Sequence, residues 1–322
     1  MKRTFILTLL FAMVITLCRA QAYDFIEKDV AIAAGQDSLR GKLLLPAVKP
    51  ETQHVVIIIA GSGPTDMNGN TTVGGSMNNN SLKMLAEALA HQGIASLRYD
   101  KRGVASSASS GSREADLRFD HYVDDAAAWA DFLQTVGKWQ TTTIIGHSEG
   151  ALIGMIAAQR SKYVTNYVSI AGAGRPAYQI IEEQLAQQPE EILRLVKTYN
   201  ATLCLGITLN NVPQYLEALY RPSVQPYLIS WFKYNPTTEI GKLKIPVLIL
   251  QGDTDIQVST TDAQLLKQAA PEAQLCIVSG MNHVLKPCDS MNPQAQLTTY
   301  SNPTLQLHKD LIPEIVKFIR QK

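Results

Sequence analysis

The sequence predicts an α/β fold, with a mostly parallel sheet covered by helices on both faces, and three observations support this prediction. Short β-branched runs alternate with helical patterns along most of the 322 residues, as in parallel sheets. Several of these runs are apolar throughout, such as residues 54–60, which is typical of strands buried on both faces. One run, residues 142–145, leads through a glycine-containing turn directly into a helical pattern.

The predicted strands are runs of apolar and β-branched residues that end at glycine or polar turns. They are residues 29–34, 39–45, 54–60, 94–99, 142–145, 167–171, 246–252 and 273–278. The predicted helices repeat apolar residues every three or four positions. They are residues 81–91, 122–136, 151–160, 261–270 and 311–321. In the first of these helices, leucines share one face and Gly93 follows as a stop signal.

Residues 175–244 interrupt the alternation of strands and helices. They form about seventy residues of helical pattern, rich in Gln, Leu and Tyr, between two core strands. We therefore predict a helical cap over the carboxyl edge of the sheet, which is where open α/β sheets bind ligands. The predicted organisation is a core of residues 23–174 and 245–322 with a cap insertion at 175–244.

The N-terminus has the pattern of a secretory signal peptide. A positively charged start precedes an apolar run at residues 5–17, and Ala20-Gln-Ala22 supplies a cleavage site. We predict a signal peptide over residues 1–22 and export to the periplasm or the cell exterior. The apolar run is too short for a stable membrane span. Cys18 leaves a lipoprotein as a minor alternative, because its preceding residues suit lipid attachment poorly.

Charge and cysteine content exclude several classes of partner. The net charge is +1 without a long basic or acidic run, which argues against nucleic acid or an anionic membrane surface as partner. Neither C-x-x-C nor H-E-x-x-H occurs, so we predict no metal site. Beyond the signal, Cys204, Cys276 and Cys288 are predicted to be free thiols, with a bridge between the last two as the alternative.

The turn after residues 142–145 carries the candidate nucleophile. Gly146-His-Ser-Glu-Gly150 matches G-x-S-x-G, and a strand before it with a helix after it is the arrangement of a nucleophile elbow. Both glycines are needed because strand and helix backbones pack closely there. Ser148 is therefore the predicted nucleophile, and an ordinary glycine turn is the alternative.

The candidate base is His283, in a loop directly after the last predicted strand. A loop at the carboxyl end of a strand is a suitable place for a base, and in serine hydrolases with this elbow the acid and then the histidine follow the serine. His147 lies inside the motif, and we expect its side chain to point away from the base position. The other four histidines lie at the ends of predicted strands or helices, at positions 54, 91, 121 and 308.

Two aspartates follow the strand at residues 246–252, and one of them is the candidate acid. Asp255 lies far enough past Gly252 to turn over the sheet edge toward His283. Asp253 is nearer the turn and is expected to cap it through its own backbone. We prefer Asp255 and keep Asp253 as the alternative.

Two backbone N–H groups are predicted to form the oxyanion hole. One belongs to Glu149, the residue after the nucleophile, and the other comes from the loop after the third strand. In that loop Gly61 and Gly63 flank Ser62, and glycines let the backbone approach a substrate carbonyl closely. Ser62 is therefore the second candidate, with an ordinary glycine turn as the alternative.

These motifs resemble the α/β-hydrolase superfamily, and within it the S33-type aminopeptidase-like and dienelactone-hydrolase-like esterases. The resemblance rests on Gly61-Ser-Gly-Pro-Thr-Asp66, Tyr99-Asp-Lys-Arg-Gly103, the elbow, Gly252-Asp-Thr-Asp255 and Asn282-His283. It covers nearly all of the chain after the signal.

The resemblance implies the α/β-hydrolase fold and a triad of Ser148, Asp255 and His283. It also implies that Asp100 and Arg102 form a structural ion pair. Many members have His-Gly where this chain has Ala60-Gly61, which removes one local side-chain brace.

The sequence therefore predicts a serine hydrolase that cleaves small-molecule carboxylic esters without a cofactor, by acyl transfer through Ser148 to water. An aminopeptidase or amidase acting on short peptides is the alternative, and it needs a carboxylate for the substrate amine. The carboxylates considered are Glu149, Glu182, Glu183 and Glu217. A catalytically silent binding protein is less favoured because the serine, histidine and aspartate are all present.

The predicted cap carries aromatic residues that either line the substrate site or pack within the cap. They are Tyr178, Tyr215, Tyr220, Tyr227, Trp231 and Phe232.

Overall fold

The computed structural model describes residues 24–321, apart from residues 36, 49, 72–76 and 111–112. The predicted signal peptide at residues 1–22 lies outside the described residues. Within the described part of the chain, no helix combines the length and apolar character that a membrane span requires.

A single mixed sheet organises the described residues. Its strands are β1 (Phe25–Ala34), β2 (Asp37–Pro46), β3 (His54–Ile59), β4 (Ala95–Tyr99), β5 (Thr141–His147), β6 (Asn166–Ile170), β7 (Val247–Gly252) and β8 (Gln274–Val278). Their spatial order is β1-β2-β4-β3-β5-β6-β7-β8. The pairs β1–β2 and β2–β4 are antiparallel, and the pairs from β4 to β8 are parallel.

Helices lie in the connections between the strands and after the last strand. They are α1 (Ser81–His91), α2 (Phe119–Val136), α3 (Glu149–Arg160), α4 (Ala177–Gln184), α5 (Glu190–Cys204), α6 (Glu217–Tyr220), α7 (Gln225–Phe232), α8 (Pro236–Gly241), α9 (Thr260–Ala269), α10 (Pro293–Tyr300) and α11 (Leu311–Arg320).

Strand β3 shows why the central runs are apolar throughout. Its alternate residues Val55, Ile57 and Ile59 belong to the core under α2, α3 and α9. The intervening residues Val56 and Ile58 belong to the core under α1 and α11. Because both faces of the sheet are covered, successive side chains of opposite orientation are all buried. The predicted α/β class is confirmed.

Helix α10 was not predicted from the sequence. Its buried residues include Gln296 and Thr299, so its inner face lacks the apolar spacing that identifies a helix. Local chemistry accounts for its start, since the Asn292 side chain accepts from the backbone N–H groups of Gln294 and Ala295. The following Pro293 occupies the first helical turn.

Helices α4 to α8 lie between β6 and β7, in the segment with the predicted helical pattern. Arg175, at the start of the segment, donates to Asp262 of α9 through Nε (2.9 Å) and a terminal nitrogen (2.7 Å). Further along, the hydroxyl of Ser230 accepts from the backbone N–H of Phe119 at 2.8 Å. These contacts attach the segment to the sheet-covering helices at two places.

Candidate active site

Ser148 occupies a sharp turn between the end of β5 and the start of α3. Its φ of 56° and ψ of −121° are unfavourable for a residue with a Cβ atom. The turn is held because the Ser148 N–H donates to the Ile170 carbonyl of β6 at 3.0 Å. The strained serine stands at the carboxyl edge of the parallel strands, as the strand-turn-helix pattern predicts.

Both motif glycines are required by close backbone packing. A Cβ atom on Gly146 would lie 2.2 Å from the Gly150 carbonyl oxygen. One on Gly150 would lie 2.4 Å from the Ile59 carbonyl oxygen. Real Cβ atoms do not approach backbone atoms so closely, so a larger residue at either position would force the backbone of the turn to shift.

Asp255 and His283 form a buried pair beside this turn. The Asp255 Oδ2 atom accepts from His283 Nδ1 at 2.8 Å and from Gln251 Nε2 at 3.0 Å. Its Oδ1 atom accepts from two backbone N–H groups, those of Gln257 (2.7 Å) and Val258 (3.0 Å). The structure thus brings the preferred aspartate, rather than Asp253, onto the predicted base.

The electrostatics of Asp255 favour its ionised form. Burial raises the pKa of this carboxyl, but the charge of His283 and its hydrogen bond, together with the two backbone N–H groups, lower the pKa below its ordinary value. Asp255 is therefore a carboxylate at neutral pH and fixes the proton of His283 on Nδ1. The other ring nitrogen, Nε2, is left as the basic one.

The expected orientation of His147 is wrong. Its ring packs against that of His283, with centroids 4.9 Å apart. Its Nε2 atom donates to the backbone carbonyl of His283 at 2.8 Å. Burial, together with the charge of His283, lowers the pKa of His147 to about 4. At neutral pH His147 is an uncharged donor that holds the His283 loop.

Asp253 also differs from expectation, because it does not cap its own turn. Its Oδ1 atom accepts from the Gly280 N–H at 2.7 Å, and its Oδ2 atom accepts from the Ser279 hydroxyl at 2.9 Å. The exposed carboxylate therefore joins the turn after β7 to the turn after β8, which leads to His283.

The loop after β3 lies against the serine, as predicted. A Cβ atom on Gly61 would be 3.2 Å from the Ser148 Cβ, so only a small residue permits this approach. Ser62 is exposed and faces the same cavities as Ser148. Across the turn, Glu149 is the first residue of α3, and the first N–H groups of a helix have no acceptor within it. The segments that carry the two predicted donor residues, Ser62 and Glu149, thus lie next to Ser148.

Two residues after β4 do not pair as the resemblance implies. Arg102 binds Asp125 of α2, donating to its Oδ2 from Nε at 2.7 Å and to its Oδ1 from a terminal nitrogen. Asp100 accepts from the backbone N–H groups of Met67 (2.7 Å) and Ser106 (3.0 Å). The predicted ion pair between Asp100 and Arg102 is therefore wrong, and each residue supports a different neighbouring segment.

Two cavities meet at Ser148. The cap cavity, about 520 Å³, lies under the segment between β6 and β7. Its apolar wall includes Leu152, Ile180, Ile181, Tyr227, Leu228 and Trp231. The loop cavity, about 440 Å³, lies between the loop after β3 and α10. Its wall includes Thr71, Met77, His283, Val284, Leu297 and Tyr300. Ser62 and Ser148 line both cavities.

The four glutamates that could bind a substrate amine are either paired with a lysine or absent from the lining of the cavities. Glu149 is buried and pairs with Lys101 at 3.5 Å. Among the described residues that line the two cavities, Glu182, Glu183 and Glu217 are absent. Glu183 instead pairs with Arg175 at the segment's start.

The aromatic residues of this segment divide between lining the site and packing. Tyr227 and Trp231 line the cap cavity. Tyr178 packs edge-on against Phe232, and the Tyr220 hydroxyl donates to Asn200 at 2.7 Å. Tyr215 is exposed. Two of the six residues thus form the apolar wall that the sequence suggested.

None of the described cysteines lines either of the two cavities at Ser148. Cys204, Cys276 and Cys288 are free thiols. Within the part of the chain that the structure describes, no group of three or more His, Cys, Asp or Glu side chains is arranged to hold a metal ion.

Comparison with known proteins gives one sequence match and many structural ones. The family model of serine aminopeptidase, S33, matches residues 74–219, which contain the Ser148 turn. No curated protein sequence matches the chain.

Several solved structures share the fold. Est1E from Butyrivibrio proteoclasticus is 18% identical over 91% of this chain and 99% of that chain, with a TM-score of 0.58. The alpha/beta hydrolase GrgF from Penicillium sp. sh18 is 17% identical over 92% and 98%, with a TM-score of 0.60. The acylaminoacyl peptidase of Pyrococcus horikoshii is 13% identical over 92% of this chain and 42% of that chain, with a TM-score of 0.56.

Proposed function

Since the chain has the α/β-hydrolase fold and matches a serine hydrolase family, we propose that it hydrolyses carboxylic esters through an acyl-enzyme on Ser148. The observation that carries the proposal is the arrangement at one sheet edge. A strained serine opens onto an apolar cavity beside a buried Asp255–His283 pair. The S33 match supports hydrolase chemistry and leaves ester and peptide bonds as the two substrate classes.

The proposed reaction begins when Ser148 Oγ attacks the ester carbonyl carbon while His283 Nε2 takes its proton. Asp255 holds the Nδ1–H and stabilises the imidazolium that forms. The Ser62 and Glu149 N–H groups donate to the developing oxyanion. The intermediate collapses, the C–O bond breaks, and His283 returns the proton to the leaving alcohol. Water then attacks the acyl-enzyme with His283 again as base, and the acid leaves.

The cavities support esters rather than peptides with a free N-terminus. The cap cavity wall is mainly aliphatic and aromatic, and Glu149 is already paired with Lys101. A substrate ammonium would therefore lose its hydration there without gaining a free carboxylate. An apolar acyl group has no such hydration to lose, and its transfer from water into the apolar cavity is favourable. We propose that the acyl part occupies the cap cavity and the alcohol part the loop cavity.

A parallel assay tests this proposal. Wild type and Ser148→Ala would be measured on p-nitrophenyl esters of increasing chain length, on methyl ferulate and on aminoacyl-p-nitroanilides. The ferulate is included because Est1E has been solved with ferulic acid bound. Ser109→Ala is the matched control, since Ser109 is exposed and lies outside both cavities.

We expect ester turnover in wild type and in the control variant, and its loss in Ser148→Ala by at least about 10³-fold. A preference for nitroanilides would favour the aminopeptidase. Esterase activity that persists in Ser148→Ala would refute the proposed nucleophile.

We also propose that the chain is exported and that its signal peptide is cleaved after Ala22. Expression of the full sequence in a bacterium, followed by fractionation and N-terminal sequencing, tests this. A mature protein beginning at Tyr23 outside the cytoplasm is expected. An intact Met1 terminus in the cytoplasmic fraction would contradict it.

A further inference from the structure

Lys101, in the turn after β4, is a buried lysine whose side chain reaches the serine turn. Its side chain is 1% exposed. Its Nζ donates to the carbonyl oxygen of Gly61 and lies 3.5 Å from Glu149 Oε1. The ammonium also stands over the ring of Tyr122, 5.1 Å from the centroid. A lysine is rarely buried so fully, and these three contacts stabilise its charge.

The contact with Gly61 fixes the peptide group that contains the Ser62 N–H. The Gly61 carbonyl and the Ser62 N–H belong to the same planar unit, and the peptide bonds of the described residues are trans. In a trans peptide the carbonyl and the N–H point in opposite directions. An ammonium that holds the oxygen on the buried side therefore directs the N–H toward the cavity side, where Ser148 lies.

The contact with Glu149 reaches the other proposed donor. Glu149 supplies its backbone N–H as the first residue of α3, and its side chain is 2% exposed beside Lys101. The Lys101 ammonium thus contacts Gly61, which precedes the proposed donor Ser62. It also contacts the side chain of Glu149, the second proposed donor. The two donors come from segments almost ninety residues apart in the chain, and Lys101 links them.

We propose that Lys101 is a positioning residue of the oxyanion hole, which sets the direction of the Ser62 N–H through the Gly61 carbonyl and joins it to Glu149. The proposal rests on the ester hydrolysis proposed above. A cation on the carbonyl also polarises the peptide group, so its N–H becomes a stronger donor. The effect acts where negative charge develops, in the transition state, and therefore on kcat more than on KM.

A double-mutant cycle separates this role from a simple counter-ion role. Lys101→Met removes the ammonium and keeps most of the side-chain volume. Glu149→Gln removes the opposite charge, and the double variant leaves no unpaired charge. The matched control is Lys286→Met, because Lys286 is also fully buried and donates to a backbone carbonyl, that of Leu305, outside both cavities.

The readouts are kcat and KM on a p-nitrophenyl ester, and the inhibition constant of a trifluoromethyl ketone, which forms an oxyanion on the serine. Relative to Glu149→Gln, we expect the double variant to lose about 10- to 100-fold in kcat, with KM within about threefold. Ketone affinity should fall in parallel. Lys286→Met should stay within about threefold of wild type in kcat.

Recovery in the double variant, with kcat and ketone affinity equal to those of Glu149→Gln, would overturn the proposal and leave Lys101 as a counter-ion only. If Lys101→Met alone does not fold, the double variant still decides the question, because it lacks both charges and leaves neither one buried without a partner. An active Ser148→Ala variant would instead refute Ser148 as the proposed nucleophile, and this inference with it.

Discussion

Replacing Asp255 by Asn tests whether this residue is the acid of the triad, and the hydrogen bonds of its carboxylate predict the effect. The two carboxylate oxygens accept four hydrogen bonds, two on each oxygen. An asparagine side chain offers one acceptor oxygen and one donor group in the same space. If its oxygen keeps the backbone N–H groups of Gln257 and Val258, its NH₂ faces His283 Nδ1. The imidazole must then accept on Nδ1 and carry its proton on Nε2.

That change of tautomer removes the basic nitrogen that Ser148 requires. We therefore expect Asp255→Asn to lower kcat by about 10³- to 10⁴-fold with little change in KM. The free energy of unfolding should fall by only about 1 kcal/mol, which is less than the loss in transition-state stabilisation. The reason is that the Gln251 amide, which loses its bond to Asp255, keeps acceptors at the carbonyls of Gly252 (3.2 Å) and Val258 (2.9 Å).

The assay is steady-state ester hydrolysis, with urea unfolding of each variant. Asp253→Asn is the matched control, because that exposed aspartate lies two residues away and binds the turn after β8 instead of His283. It should retain activity within about fivefold. Equal losses in the two variants, or a near-normal rate in Asp255→Asn, would refute the assignment of the acid to Asp255.

Three further predictions follow from the same geometry. Gly150→Ala should lower the free energy of unfolding by about 1–3 kcal/mol, because its Cβ meets the Ile59 carbonyl; an unchanged urea midpoint would contradict this. The pKa of His147 is about 4 in the folded chain and near 6.5 unfolded, so its contribution to stability is present above pH 6.5 and is lost as the pH falls toward 4. His147→Gln should therefore lose less stability than wild type between pH 7 and 4.5, by about 2 kcal/mol, and equal losses in urea titrations would refute the reasoning. Ala218→Trp, at an exposed position lining the cap cavity, should lower kcat/KM for long-chain esters at least tenfold more than for acetate esters, and uniform loss would exclude an acyl group in that cavity.

The parts of the site that depend on strand ends were predictable from the sequence. The spacing of Gly146 and Gly150, the β-branched run before them and the helix after them all lie within one local stretch, so Ser148 could be assigned. Asp255 and His283 each follow a predicted strand, and parallel strands end at a common edge. Their pairing therefore followed from topology and chain order, and the 2.8 Å contact agrees with it.

The contacts made by long side chains between distant segments were not predictable. Examples are the direction of the His147 ring, the partner of Arg102 and the three contacts of Lys101. Each depends on which of several nearby groups the side chain reaches. Hydrophobic periodicity carries no information on that choice. Helix α10 was missed for a related reason, since its inner face buries Gln296 and Thr299, whose side chains donate to backbone carbonyls.

The sheet order explains why the turn after β4 can support the serine turn. Strand β4 pairs with β3, and β3 pairs with β5, so the carboxyl ends of these three strands are neighbours. Each of three consecutive residues after β4 then makes a different set of contacts. Asp100 binds the loop beyond β3, Lys101 binds Gly61 and Glu149, and Arg102 binds α2. Because the three contacts diverge from one short turn, we expect a substitution there to perturb both sides of the proposed oxyanion hole without contacting the Ser148, Asp255 or His283 side chains.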